Sequence, residues 1–196
     1  PPAQPVDVEL PDDPNATMTI DQLRALARRS GGEGVPGASS VTGPTLPAVH
    51  CPNGHPNAPE ASICRSCRAG IVDRTITVIP RPSLGRLRFD TGQLVDLTQP
   101  LLIGRKPPAD AQVDGEAALA VAIPDPDHAL SRLHLEVRFE GWQVLVTDRK
   151  SVNSSFVTLP GKPPMQLRPE EPMPIVDGTT VTLGDIVSFV YEAAAR

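Results

Sequence analysis

A chain of 196 residues has room for one medium domain, or for a small one with appendages. Its 24 prolines and 39% hydrophobic content leave too few core-forming residues for a uniformly packed globule. A net charge of −5 argues against a surface built to neutralise nucleic-acid phosphates, and no apolar run approaches the ~20 residues of a membrane span. The first residue is Pro1 and not Met, so the chain reads as a fragment or processed form, and nothing in it resembles a signal peptide. Arginine outnumbers lysine 15 to 3, a bias that points to a high-GC bacterial genome. Three cysteines cannot all pair within one chain, and their spacing favours metal in a reducing, cytoplasmic compartment over disulfides.

Residues 1–47 read as a mostly disordered tail, Pro-rich at the start, acidic around Asp12 and Asp13, and rich in Gly, Ser and Pro from Ser30 to Pro47. One island interrupts it. Thr19 and Gln22 have capping-box spacing, Met18 is placed to staple onto Leu23, and Ile20, Leu23, Leu26 and Ala27 share a face. A helix over about 19–29 is expected, with Arg28 and Arg29 suited to its C-terminus, and one so short needs a surface to dock on.

Residues 48–70 hold Cys51, His55, Cys64 and Cys67 in the spacing C-x3-H-x8-C-x2-C. Two tight knuckles of this kind close a tetrahedral site of three thiolates and one imidazole, and a full shell of four protein ligands makes such a site structural. With no core of its own, the segment is expected to fold only around its metal. A Cys64–Cys67 disulfide or free thiols in a linker are the alternatives, and His50 is a second candidate ligand. An iron–sulfur centre fits less well, because clusters usually take four thiolates. The arrangement resembles a short zinc ribbon. Residues 71–83 read as a linker containing the β-like run Thr75-Ile76-Thr77-Val78-Ile79.

From residue 84 to 196 short apolar-alternating runs are separated by turn residues, as in an all-β sandwich. Leu87 and Phe89 alternate with Arg86, Arg88 and Asp90. Leu133, Leu135, Val137 and Phe139 point one way and His134, Glu136, Arg138 and Glu140 the other. Glu140-Gly141 then turns into Trp142, Val144 and Val146, and a Gly184-Asp185 turn joins two closing strands. Residues 109–122 read as an inserted mobile loop.

Three strand-ending loops carry the chemistry: Gly104-Arg105, Ser131-Arg132-Leu133-His134, and Asp148-x-x-Ser151-x-Asn153. A guanidinium fork, a hydroxyl and an amide form an inventory suited to a compact dianion. The order and spacing of these motifs resemble the forkhead-associated (FHA) domain, a β-sandwich that binds phosphothreonine peptides, over residues ~84–194. The resemblance implies that Arg105 contacts phosphate with Ser131, that Arg132 adds a second cation, and that Asn153 holds the peptide backbone. It implies structural roles for Gly104 and His134. Two departures stand out: Asn153-Ser154-Ser155 replaces the usual N-G-T, and Val152 stands where many members have a hydroxyl residue. Arg149 and Lys150 are candidates to compensate.

The expected function is a non-enzymatic adaptor that docks on proteins threonine-phosphorylated by a Ser/Thr kinase, with a structural zinc ribbon. The alternative is a phospho-independent scaffold on a diverged FHA fold. A zinc enzyme is disfavoured by the closed ligand set and the lack of an H-E-x-x-H or comparable acid/base pair. Phosphorylated Thr17, with Ile20 three residues on, is a candidate intramolecular ligand tethered by residues 18–47.

Overall fold

The computed structural model describes residues 43–194. The expected helix over 19–29 and Thr17 lie outside them. The described chain runs through β1 (Thr45–His50), β2 (Pro56–Asn57), β3 (Thr77–Pro80), β4 (Gly85–Phe89), β5 (Leu94–Asp96), β6 (Leu101–Gly104), β7 (Gln112–Val113) and β8 (Glu116–Ala117). It continues through β9 (Leu119–Ala122), β10 (Leu135–Glu140), β11 (Gln143–Asp148), β12 (Ser155–Thr158), β13 (Met165–Gln166), β14 (Met173–Ile175), β15 (Thr180–Leu183) and β16 (Val187–Ala193). Every regular element among the described residues is a strand.

Two sheets form the sandwich, one ordered β14-β11-β10-β6-β9 and the other β13-β12-β15-β16-β4-β5. Period-two alternation explains the second sheet. Gly85, Leu87 and Phe89 are buried while Arg86 and Arg88 face out, where both meet Glu192 across the β4–β16 ladder at 2.7 and 2.6 Å. Phe89 and Phe189 tilt against each other, ring centroids 5.3 Å apart, and with Leu101, Ile103, Leu135, Val137, Val146 and Val181 they fill the space between the sheets. The β10–β11 hairpin pairs Leu135 with Asp148 through to Glu140 with Gln143, as its alternation predicts. Gly184 and Asp185 both hold positive φ, +54° and +55°, in the tight turn joining β15 to β16.

Three expectations are corrected. Residues 109–122 are not a loose loop. They form the β7–β8 hairpin and then β9, which pairs parallel with β6 from Leu101↔Leu119 to Gly104↔Ala122. The cause is a second apolar cluster, in which Val113 and Ala118 pack on the outward side of β6 at Leu102, with Leu133 against them. Leu133 therefore packs with Leu102 and not in the inter-sheet core with Leu135 and Val137. Third, Thr45–Pro47 and Thr77–Pro80, assigned to tail and linker, pair as β1 and β3 in a small sheet ordered β2-β1-β3.

That small sheet leans on the sandwich. Leu46 joins the main core, Trp142 at the β10–β11 turn donates its indole N–H to the Pro47 carbonyl at 2.8 Å, and Arg65 stacks over the same indole at 5.4 Å. Arg81 lies 4.4 Å over the Phe139 ring and pairs with both carboxylate oxygens of Glu116. These contacts gather where β10 ends and β11 begins. The loops before β10 and after β11 are at the other end of the sandwich.

Candidate functional site

The end of β6 and the segment leading into β10 are zipped together. The backbone N–H of His134 donates to Ile103, that of Arg105 to Ser131 and that of Lys106 to Arg132, at 2.9, 3.1 and 3.1 Å. Gly104 sits so close to this segment that an added Cβ would lie 2.3 Å from the Arg132 carbonyl oxygen. Only a residue without a side chain lets the two loops approach. A cleft of about 650 Å³ opens beside them, lined by Arg105, Lys106, His128, Ser131, Arg132 and Val152 with the apolar Pro108, Leu130 and Leu133.

Arg105 enters this cleft with no ion-pair partner among the described residues, and its Nε is buried without a hydrogen bond. Its guanidinium therefore keeps donors free for an anionic ligand in the cleft. The Ser131 hydroxyl oxygen accepts the Val152 N–H at 3.1 Å, which keeps its own proton available to donate into the cleft. Arg132 is exposed on the cleft wall, likewise without an ion pair among the described residues.

The loop after β11 is organised by one buried carboxylate. Asp148 accepts the Ser151 N–H at 2.8 Å and the hydroxyls of Ser151 and Ser155, each at 2.6 Å. His134, fully buried, ties this loop to the others. Its Nδ1 accepts the Ser131 N–H at 3.3 Å and its Nε2 lies 3.2 Å from the Ser154 carbonyl, which assigns the proton to Nε2. Burial holds the His134 pKa below its ordinary 6.5, against the opposing pull of the Ser154 carbonyl and Asp148. Ser154, in the place of the usual glycine, adopts the left-handed φ of +58° that the turn demands. Gly184 packs against Asn153 and His134 from below, within 3.3 to 3.6 Å of a hypothetical Cβ.

Asn153 lies beside the cleft and not on its wall, its amide donating to the Ala129 carbonyl at 2.9 Å. Val152 is on the wall, 84% exposed. Arg149 is not available to compensate for Val152, because it pairs with Glu136 at 2.6 Å and Glu170 at 3.5 Å. Lys150 does not line the cleft either. Lys106 and His128 do. The first was legible as the residue after Arg105, whereas nothing in the sequence around His128 links its loop to the other three.

At the small sheet, one ligand atom from each of Cys51, His55, Cys64 and Cys67 lies within 4.8 Å of the others. Cys51 Sγ is 3.5 Å from His55 Nδ1 and 3.8 Å from Cys67 Sγ, and Cys64 Sγ is 3.8 Å from His55 Nδ1, the edges of a compact tetrahedron. All three cysteines are free, so no disulfide competes, and His50 faces Thr77 instead of this group. Two of the three thiols are shifted toward thiolate. The Ala69 backbone and then the Asn53 amide draw the Cys67 pKa down to about 7. Burial would raise Cys64, but the N–H groups of Cys67 and Ser66 outweigh it and lower the thiol, whereas burial prevails at Cys51 and raises it. Three soft thiolate donors and an imidazole make a group that can hold a metal ion. The cluster also has some core of its own, with Val49 and Ile71 buried against Cys51 and Cys64.

Residues 101–184 match the model of the FHA domain family, and the chain carries an FHA domain there. FHA domains are phosphopeptide-recognition modules, not enzymes. Among solved structures, the chain is similar to the FHA domain of FhaA complexed with the intracellular domain of Rv3910, at 26% identity over 55% of this chain and 98% of that one, TM-score 0.37. It is also similar to the FHA domain of human APLF in complex with an XRCC1 bisphospho peptide, at 21% identity over 56% of this chain and 98% of that one, TM-score 0.43. A search of curated proteins finds no match.

Proposed function

We propose, from the FHA domain at residues 101–184, that this chain is a phosphothreonine-peptide-binding adaptor of Ser/Thr kinase signalling. One observation carries the reading: Arg105 stands in an open cleft without a counter-ion among the described residues, next to a serine with a hydroxyl proton to give. A phosphate dianion answers each of those needs. In this reading Arg105 and Ser131 bind phosphate, Arg132 adds charge, and Asn153 uses its remaining amide donor and carbonyl oxygen on the peptide backbone. Gly104 and His134 hold the loops at their spacing. Leu130, Leu133 and Val152 supply apolar wall for the threonine methyl.

The metal of the small sheet is zinc in this reading, and its role is structural. Zinc bonds of about 2.3 Å to sulfur and 2.0–2.1 Å to nitrogen imply tetrahedral edges of about 3.8 and 3.6 Å, close to the separations described above. A zinc thiolate centre also fits a reducing, cytoplasmic setting. No helix among the described residues is long and apolar enough to cross a membrane.

Binding of a phosphothreonine peptide and its unphosphorylated twin, followed by calorimetry, tests the adaptor reading. Each charge-assisted hydrogen bond lost costs about 1.5–3 kcal/mol, so Arg105→Ala should weaken the phosphopeptide by about 100-fold or more and leave the twin unaffected. The exposed Val152, in a place that many family members give to a hydroxyl, favours a second reading, a phospho-independent scaffold. Equal affinity for the two peptides would establish that scaffold and sink the adaptor.

A further inference from the structure

The cleft holds more positive charge than one phosphothreonine uses. A phosphate ester carries about −1.5 to −2 charges at pH 7. Arg105, Arg132 and Lys106 line the cleft with three permanent cations, His128 stands beside them, and no carboxylate is part of the wall. Neither Lys106 nor Arg132 has an ion-pair partner among the described residues, although the whole chain is acidic at −5. The nearby Arg149, by contrast, is neutralised by Glu136 and Glu170. Three cations without ion pairs among the described residues therefore share one cleft wall that holds no carboxylate.

The surplus is also ordered. The backbone bonds Arg105 N–H to Ser131 and Lys106 N–H to Arg132 form two successive rungs across the loops. One rung presents Arg105 and Ser131, the phosphate pair of the proposed function. The other sets the exposed Lys106 beside the exposed Arg132.

We infer that Lys106, the cation left over once Arg105 and Arg132 answer the phosphate, forms a second anion subsite, which selects phosphothreonine peptides carrying an acidic residue next to the phosphothreonine. This rests on the phosphothreonine reading and names the ligand class within it. Lys106 is a specificity residue on exposed wall, where a single ion pair changes affinity by up to about fivefold, and salt screens that gain.

Three peptides test the inference by fluorescence anisotropy at low and high salt. One is a phosphothreonine peptide with alanines at the two positions on each side, one has aspartates there, and one has the aspartates without phosphate. The acidic phosphopeptide should bind about fivefold tighter than the neutral one at low salt, with the ratio shrinking in high salt. Lys106→Ala should bring the ratio toward one, Lys106→Arg should preserve it, and Lys162→Ala, a remote exposed lysine, should leave it alone. Equal affinity of the two phosphopeptides, or a ratio indifferent to Lys106→Ala, overturns the subsite while the adaptor reading stands. If neither phosphopeptide outbinds the unphosphorylated one, the adaptor reading fails and the subsite falls with it.

Discussion

Ser154 keeps a glycine's backbone without being one. Its φ of +58° is a left-handed conformation that costs an L-residue about 1–2 kcal/mol. The return is small, since its hydroxyl accepts one exposed bond from Gln166 at 2.9 Å. Ser154→Gly should therefore raise stability by about 1 kcal/mol, seen as a melting temperature a few degrees higher. An unchanged or lower melting temperature would mean that the Gln166 contact outweighs the strain. His134 supplies a pH effect at the same loops. Its folded pKa lies below the unfolded 6.5, so the unfolded chain binds the extra proton more readily. Stability should be complete above about pH 6.5 and should decline as pH falls from there toward the folded value. The carboxylate of Glu192, lowered by Arg88 and Arg86, loses its contribution only in a more acidic window. Thermal melts between pH 7.5 and 5.5 should slope downward toward acid, and the slope should flatten in His134→Asn.

Among the elements, β6 and the approach to β10 depend on Gly104 more than on any charged group. Gly104→Ala would set a Cβ 2.3 Å from a backbone oxygen and 2.8 Å from a second, so the loops must part. Overpacking of this kind costs about 1–3 kcal/mol, and because Arg105 and Ser131 ride on the same rung, peptide binding should fall with stability. A variant that melts like the parent and binds like it contradicts the close-approach argument. This part of the molecule was legible in the sequence: alternation located β4, β10, β11, β15 and β16, and the three loop motifs located the strand tips. The segment 109–122 was not legible. Its alanines, aspartates and single glycine read as a loop, and only the outward-facing Leu102 of an otherwise inward strand could have hinted that Val113 and Ala118 cover it. For β3 the β-like run was legible but its partner was not, because its exposed residues pair through backbone with β1 and bury little of their side chains. The charge pattern misled at Arg149, whose partners Glu136 and Glu170 meet it only in three dimensions.

Across the whole molecule, the Cys/His group and the cleft occupy opposite ends of one sandwich. Between Cys64 and Cys67 stands Arg65, whose backbone N–H is held by Asn57 at 2.8 Å while its guanidinium stacks on Trp142 and reaches the Leu84 carbonyl at 3.4 Å. Asn57 in turn donates to the Cys64 sulfur at 3.6 Å. A metal fixing Cys64 therefore fixes the contact that covers the sandwich's far end. Trp142 is the chain's single tryptophan, so its fluorescence reports that end and nothing else. Removing the metal with a strong chelator should redden the Trp142 emission and lower the melting temperature, since binding energy here stabilises the folded state by about 4 kcal/mol when the ion is a thousandfold above its Kd. Phosphopeptide affinity at 25 °C should stay within about twofold, because no element of the cleft touches the small sheet and distant sites are energetically near-independent. Emission unaltered by chelation would detach the metal group from the sandwich. A parallel loss of affinity would instead show the two ends coupled through β10 and β11, the strands that run between them.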